Sequence, residues 1–251
     1  MIETFGLTKH YGPRVAVDQL NLRIAPGELF GFIGPNGAGK TTSIRMMIGI
    51  LHPTSGRAVI AGVDVAKDPV AAKARLGYVP DNPHLYPKLT ATEFLRFVGE
   101  IHRLERRRAD LRIGELLELF GLEDRAEELL GGYSHGMKQK ICLAAALLPE
   151  PKVVFLDEPI VGLDPRSARL FKDILRELCA KGTTVFMSTH ILEIAERMCD
   201  RIGIIQAGKL IQLGTLSDLR KLAGGEQGET LEDLFLQITG QTEEEDVAKY
   251  L

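Results

Sequence analysis

Eight residues early in the chain, Gly34-Pro35-Asn36-Gly37-Ala38-Gly39-Lys40-Thr41, fit the pattern G-x-x-x-x-G-K-[ST]. The glycines let successive backbone N–H groups turn inward around an anion, with a helix N-terminus behind them. Lys40 is placed to reach the β- and γ-phosphates of a nucleotide, and Thr41 to offer its hydroxyl to Mg²⁺; Pro35, Asn36, Ala38 and Thr42 complete the cradle. An apolar run before the loop and a helical pattern after it supply the strand–loop–helix context. A glycine-rich turn with an incidental lysine would not need that context. The loop alone does not choose among kinases, GTPases, helicases and other ATPases. The guanine-selecting Asn/Thr-Lys-x-Asp pattern is absent from the sequence.

A second constellation lies in Val153-Val-Phe-Leu-Asp157-Glu158-Pro159, an apolar strand that ends in two acids. Burial of the strand would deliver Asp157 to the carboxyl edge of a sheet, where ligands bind in open α/β folds. Asp157 suits Mg²⁺, directly or through water, and Glu158 suits the attacking water as base or orienter. Taken alone, the pair could be an acidic strand end capping a neighbouring helix; beside a phosphate loop the catalytic reading is favoured. His190 ends the next apolar stretch, Phe186-Met-Ser-Thr-His190. A lone histidine there is often structural, but one strand beyond the two acids it would come within reach of a γ-phosphate. A third stretch, Tyr-Ser134-His135-Gly136-Met-Lys-Gln-Lys, precedes the apolar run 141–148. A serine and a glycine at a helix start, with lysines following, could hold an anion; an ordinary helix cap is the simpler alternative.

The elements that must position these residues read as α/β. Strand patterns fill the first quarter, around Val17–Ile24, 29–33, 57–65 and 76–80. Thr90-x-x-Glu93 signals a capping box opening a helix to about Ile101, and charged helical patterns run to about Leu130, broken at Gly121. Residues 83–150 therefore look like a helical insert. The α/β pattern then resumes, with a strand at 153–156, a helix capped by Asp164 before Pro165 and stopped near Gly182, a strand at 183–189, and a hairpin turning at Ala207–Gly208. GGEQGE from Gly224 reads as a flexible link, with a short helical pattern at 230–239.

Bulk properties narrow the class. The chain has 251 residues, 45% hydrophobic and 26% charged, which suits a soluble globular protein of one large or two small domains. A net charge of −3 weighs against a dedicated nucleic-acid binder. No apolar stretch approaches the roughly 20 residues of a membrane span, and no signal-peptide pattern opens the chain. Cys142, Cys179 and Cys199 lie in helix-like segments and are expected as packed thiols in a reducing cytosol. The basic run 103–108 reads as a solvated helix end, with contact to a membrane partner or anionic lipid as the lesser alternative.

GPNGAGKT, YSHGMKQK, VVFLDEP, GLDP and STH, in this order, resemble the ATP-binding-cassette (ABC) ATPases over about residues 1–220. The form of 76–90 and of 193–210 is most similar to the single-cassette ATPases of ABC-2-type exporters. The resemblance implies an α/β phosphate-loop NTPase of the ABC type, with an N-terminal antiparallel β subdomain and a helical signature subdomain. It implies a cassette over 1–223, with 83–150 as the helical part, and a C-terminal extension over 224–251. It also implies ATP and Mg²⁺ as ligands, a transmembrane permease on a separate chain, a second cassette (a homodimer in the simplest case), and a place on the cytoplasmic face of a membrane. YSHGMKQK stands where the family has its LSGGQ signature, so Ser134 and the Gly136 N–H would bind the γ-phosphate of ATP held by the other cassette. Tyr11 matches the aromatic that stacks on adenine, with a surface or core tyrosine as the alternative. Asp164 matches the loop linking the two active sites and also suits a helix cap.

The sequence departs from the family pattern in places. Asp81 stands where the family usually has the glutamine that meets Mg²⁺ and water, and is expected to contact the metal. His135 replaces a signature glycine, and would either add charge beside the γ-phosphate or be a spectator. Met137 replaces the signature glutamine, and Ile160 a small polar residue. Two other classes compete: a soluble ABC ATPase acting on ribosomes or DNA, which usually carries two cassettes or a long coiled coil, and an unrelated phosphate-loop kinase, which leaves YSHGM and His190 unexplained.

Overall fold

The structure is a computed structural model describing residues 1–223 and 230–239. Two long strands, β1 (Ile2–Tyr11) and β2 (Arg14–Ile24), lead to β3 (Leu29–Ile33) and α1 (Lys40–Met47). The hairpin β4 (Ser55–Ile60) and β5 (Val63–Asp64) follows, then α2 (Pro69–Lys73) and β6 (Leu76–Val79). Helices α3 (Ala91–Ile101), α4 (Arg106–Phe120) and α5 (His135–Leu147) form the middle. The chain continues through β7 (Val153–Asp157), α6 (Pro165–Ala180), β8 (Thr184–Thr189) and α7 (Leu192–Met198). The hairpin β9 (Arg201–Gln206) and β10 (Lys209–Gly214), then α8 (Leu216–Ala223) and α9 (Leu231–Thr239), complete the described residues.

The strands form two sheets. One is antiparallel, in the order β2-β1-β4-β5. The other runs β10-β9-β3-β8-β7-β6 and is parallel from β9 to β6. Strands β3, β7 and β8 are buried along their whole length, as a parallel sheet covered on both faces requires. Phe186 of β8 sits at the centre, with ring centroids 5.5 Å from Phe30, 5.3 Å from Phe32 and 5.5 Å from Phe155. The helical segment has its own core, in which Phe94, Leu117, Phe120 and Ile141 pack with Val79 and Val154 of the sheet.

Local signals explain most boundaries. Thr90 and Glu93 close a reciprocal capping box on α3, and Gly121 ends α4 in the left-handed region at φ 62°. Asp164 caps α6 with Pro165 at its first position, and Gly182 follows its end at φ 91°. The uneven spacing of Val17 and Leu20 has a cause: Gln19 lies at φ 48°, where the β1–β2 register shifts, so both apolar side chains still face the core.

Two expectations change and a third holds. The strand expected over 57–65 is a hairpin, turning at Ala61 (φ 47°) and Gly62 (φ 83°). Both central residues lie at positive φ, the geometry of a tight two-residue turn, but alanine rarely announces it. Past Gly121 the helical pattern gives way to two short 3₁₀ turns, Glu123–Arg125 and Leu130–Gly132. The helical pattern at 230–239 is realised as α9, whose Leu231, Leu234 and Phe235 pack with Ile33, Ala195, Ile204 and Leu219. The link expected at 224–229 lies outside the described residues.

Phe186→Ala should cost about 3–5 kcal/mol of unfolding free energy, read by chemical denaturation, because three rings lose their shared partner.

Candidate active site

The phosphate loop joins the carboxyl end of β3 to α1. A Cβ on Gly34 would lie 2.2 Å from the Ile205 carbonyl oxygen, and one on Gly39 2.5 Å from that of Ala16, with Gly39 at φ 111°. Neither position accepts a side chain, so the loop backbone packs directly against the ends of β2 and β9. Lys40 folds back over the loop. Its Nζ donates to the Gly34 carbonyl at 2.7 Å and the Pro35 carbonyl at 3.3 Å, and lies 3.4 Å from Glu158 Oε1.

Strand order brings the acids to this loop. β8 lies between β3 and β7, so residues just past all three strands share one edge of the sheet. Asp157 and Ser188 pair across the β7–β8 ladder, and the Ser188 hydroxyl donates to Asp157 Oδ1 at 2.5 Å. Glu158, next along, adopts φ 50°, a strained conformation for a residue with a side chain. Its N–H is held by the Ser188 carbonyl at 3.2 Å and the Ser188 hydroxyl at 3.3 Å. Its carboxylate spans Lys40 and His190, with Oε2 lying 3.0 Å from His190 Nδ1 and 3.3 Å from the His190 N–H. The Nδ1–H of His190 is thereby engaged, and Nε2 is left for a second partner.

Asp157 is fully buried. Burial holds its carboxyl above the usual carboxylate range; hydrogen bonding from Ser188 and Thr41 pulls it back, and the charges of Asp81 and Glu158 push it further up. Thr41 lies close enough to act on that carboxyl, yet Oδ2 is buried with no completed hydrogen bond. An orphaned carboxylate oxygen beside a threonine hydroxyl fits a hard, oxygen-seeking ion such as Mg²⁺. Among the described residues no cluster of three or more His, Cys, Asp or Glu side chains stands ready to hold a metal. Such an ion would take further ligands from phosphate and water, as Mg²⁺ does at nucleotide sites.

A groove lies over the loop. The loop lines it together with Tyr11, Arg14 and Ala16 from β1 and β2, Asp81 after β6, and Glu158. Tyr11 is half exposed, and the Lys9 ammonium lies 5.3 Å from the centre of its ring. Asp81 is exposed and accepts the Asn82 N–H at 2.7 Å.

The residues foreseen from sequence fall into two groups. Tyr11, the loop from Gly34 to Thr42, Asp81, Asp157, Glu158 and His190 come together. Ser134, His135, Gly136 and Asp164 do not line that groove. Ser134 caps α5, accepting the Met137 N–H at 3.3 Å. The His135 ring lies against Gly162, where an added Cβ would be 3.3 Å from Cδ2, and Gly136 faces the Leu163 side chain. Asp164 accepts the Ser167 hydroxyl at 2.7 Å and the Ser167 N–H at 3.0 Å, and these bonds hold its carboxyl below the usual range. The signature loop and the 162–164 loop thus build a second surface on the same chain.

Three contributors escaped the sequence reading. Ser188 sits inside a quoted motif, but its role depends on the β7–β8 register. Arg14 and Ala16 reach the groove through the β1–β2 hairpin and carry no motif of their own.

Comparison with known proteins gives the family. A family model described as ABC transporter matches residues 17–161. The daunorubicin resistance ATP-binding protein DrrA3 of Streptomyces coeruleorubidus is 41% identical over 236 residues, covering 94% of this chain and 73% of that protein. A solved structure described as the ATP-binding subunit of an ABC transporter matches with a TM-score of 0.90 at 35% identity, over 95% of this chain and 99% of the other. A second, the dimeric structure of a post-hydrolysis state of the ATP-binding cassette MJ0796 bound to ADP and Pi, matches with a TM-score of 0.79 at 25% identity, over 86% of this chain and 99% of the other. The chain belongs to the ABC transporter family.

Because the folded state raises the Asp157 pKa, this group favours folding at pH below the usual carboxylate range. That contribution is lost as pH rises through the raised value. At pH 7 its buried charge is a net cost. Asp157→Asn should therefore melt at a higher temperature than the parent at pH 7 without nucleotide, with the gain shrinking toward pH 4, while ATP turnover falls.

Proposed function

We propose that this chain is the ATP-hydrolysing subunit of an ABC transporter of the exporter kind, working as a head-to-tail pair of cassettes on a separate transmembrane permease. The observation that carries the chemistry is the Glu158 carboxylate, held between Lys40 and His190 at the mouth of a phosphate loop.

Each residue has a role that follows from its place. N–H groups of the 34–42 loop and the Lys40 ammonium bind the β- and γ-phosphates. Tyr11 stacks its open face on adenine. Thr41 and Asp157, with Asp81 beside them, would hold Mg²⁺, which would supply charge neutralisation to the phosphate oxygens. Glu158 orients or deprotonates the attacking water, and its link to His190 Nδ1 fixes both groups. His190 Nε2 is the atom left to stabilise charge on the transferring phosphoryl group.

The second surface supports the paired arrangement. Ser134, the Gly136 N–H and the His135 ring lie away from the chain's own groove, so they serve nucleotide bound by another cassette. Asp164, beside them, links the two sites. The dimer described for the similar cassette is consistent with this. The transporter reading places the permease on a separate chain and this one on the cytoplasmic face of the bilayer; no helix of the described residues is long and apolar enough to cross a membrane. The catalytic cassette extends to about residue 223, with 83–150 as its helical part and 224–251 as an extension.

Glu158→Gln should lower turnover by about 10²–10³-fold and give an ATP-dependent dimer in light scattering. A variant that hydrolyses at the parent rate and stays monomeric would remove the mechanism. Affinity purification in mild detergent, followed by mass spectrometry, tests the transporter assignment. A stoichiometric multi-span membrane protein is expected; ribosomal or DNA-repair proteins in its place would overturn it.

A further inference from the structure

Two cations line the nucleotide groove, and only one belongs to the phosphate loop. Lys40 is engaged by two carbonyls and by Glu158. Arg14 is exposed and has no acidic partner among the described residues. We propose that Arg14 is a nucleotide-binding residue whose guanidinium grips the phosphate chain from outside the loop. The inference rests on the ATPase function above and adds a residue to it.

Three observations converge. The first is register. Tyr11 and Arg14 are direct partners across the β1–β2 turn, and directly opposed residues of an antiparallel pair project to the same face. The side chain that meets the base and the guanidinium therefore leave the sheet together. The second is position. Arg14 Nη2 lies 3.9 Å from the point that a Cβ on Gly37 would occupy, so the guanidinium stands over the loop whose N–H groups cradle phosphate. The third is charge. Asp81, Asp157 and Glu158 crowd this site, while Lys40 is already ion-paired. A polyphosphate entering among three carboxylates needs a cation beyond Lys40. Mg²⁺ answers for the side near Asp157; Arg14 answers for the side near Gly37. A guanidinium presents five donors in a planar fork that matches paired phosphate oxygens, which an ammonium does not.

The full chain carrying Arg14→Gln, and separately Arg14→Lys, tests this by titration with ATP, ADP and AMP in Mg²⁺, beside melting curves without nucleotide. Arg14→Gln should weaken ATP about tenfold, ADP less, and AMP by under about twofold, with an unchanged Tm. Arg14→Lys should fall between, since it keeps the charge and loses the fork. The KM for ATP should rise far more than kcat falls, and the salt dependence of ATP binding should flatten. Equal ATP affinity in a folded Arg14→Gln variant would overturn the inference. So would a loss as large for AMP as for ATP, which would assign Arg14 to the base or to the fold. If the parent protein itself binds none of the three nucleotides, the ATPase function fails as well; if the parent binds ATP and Arg14→Gln matches it, only the role of Arg14 fails.

Discussion

The hydrogen bond from Ser188 to the buried carboxylate of Asp157 joins the fold to the chemistry. It forms because β7 and β8 are parallel neighbours in one register, and the same serine also holds the backbone of Glu158. A carboxylate taken fully out of water is costly unless its oxygens find partners. One oxygen has Ser188; the other is left for a ligand from outside the protein. The fold keeps a destabilised group at the edge of the sheet, and the tilted rings around Phe186, two residues back along the same strands, supply the rigidity that holds it there.

Strand order does the rest of the positioning. Since β8 separates β3 from β7, the phosphate loop, the acid pair and His190 emerge from three adjacent strands at the same edge. Glu158 then bridges the first and third of these through Lys40 and His190. Its left-handed backbone turns the side chain toward the groove rather than along the strand, a local strain stored at the site of chemistry. The antiparallel sheet closes the groove from the other side by presenting the β1–β2 turn.

The signature loop obeys a different constraint. It caps α5 and packs on the 162–163 turn, away from the groove its own chain provides. On the proposed function, a chain with one complete phosphate loop and one displaced signature is half of each of two sites, and the approach and separation of two cassettes is the step that hydrolysis would drive.

The amino-acid sequence by itself determined the features whose physics is local. The phosphate loop follows from glycines and a lysine within eight residues, the α3 and α6 starts from capping side chains, and the acid pair from an apolar strand that ends abruptly. The resemblance of these motifs in order carried the family. Only the tertiary structure decided what depends on pairing between distant segments. The 57–65 stretch became a hairpin because Ala61 accepts a left-handed turn that its side chain does not advertise. Ser188 met Asp157, and Arg14 met the phosphate loop, through strand register and a hairpin turn set by contacts across the whole domain. A sequence motif records which side chains are near in the chain. Which ones meet across a sheet is set by register, and a shift of one residue would turn each of them to the opposite face.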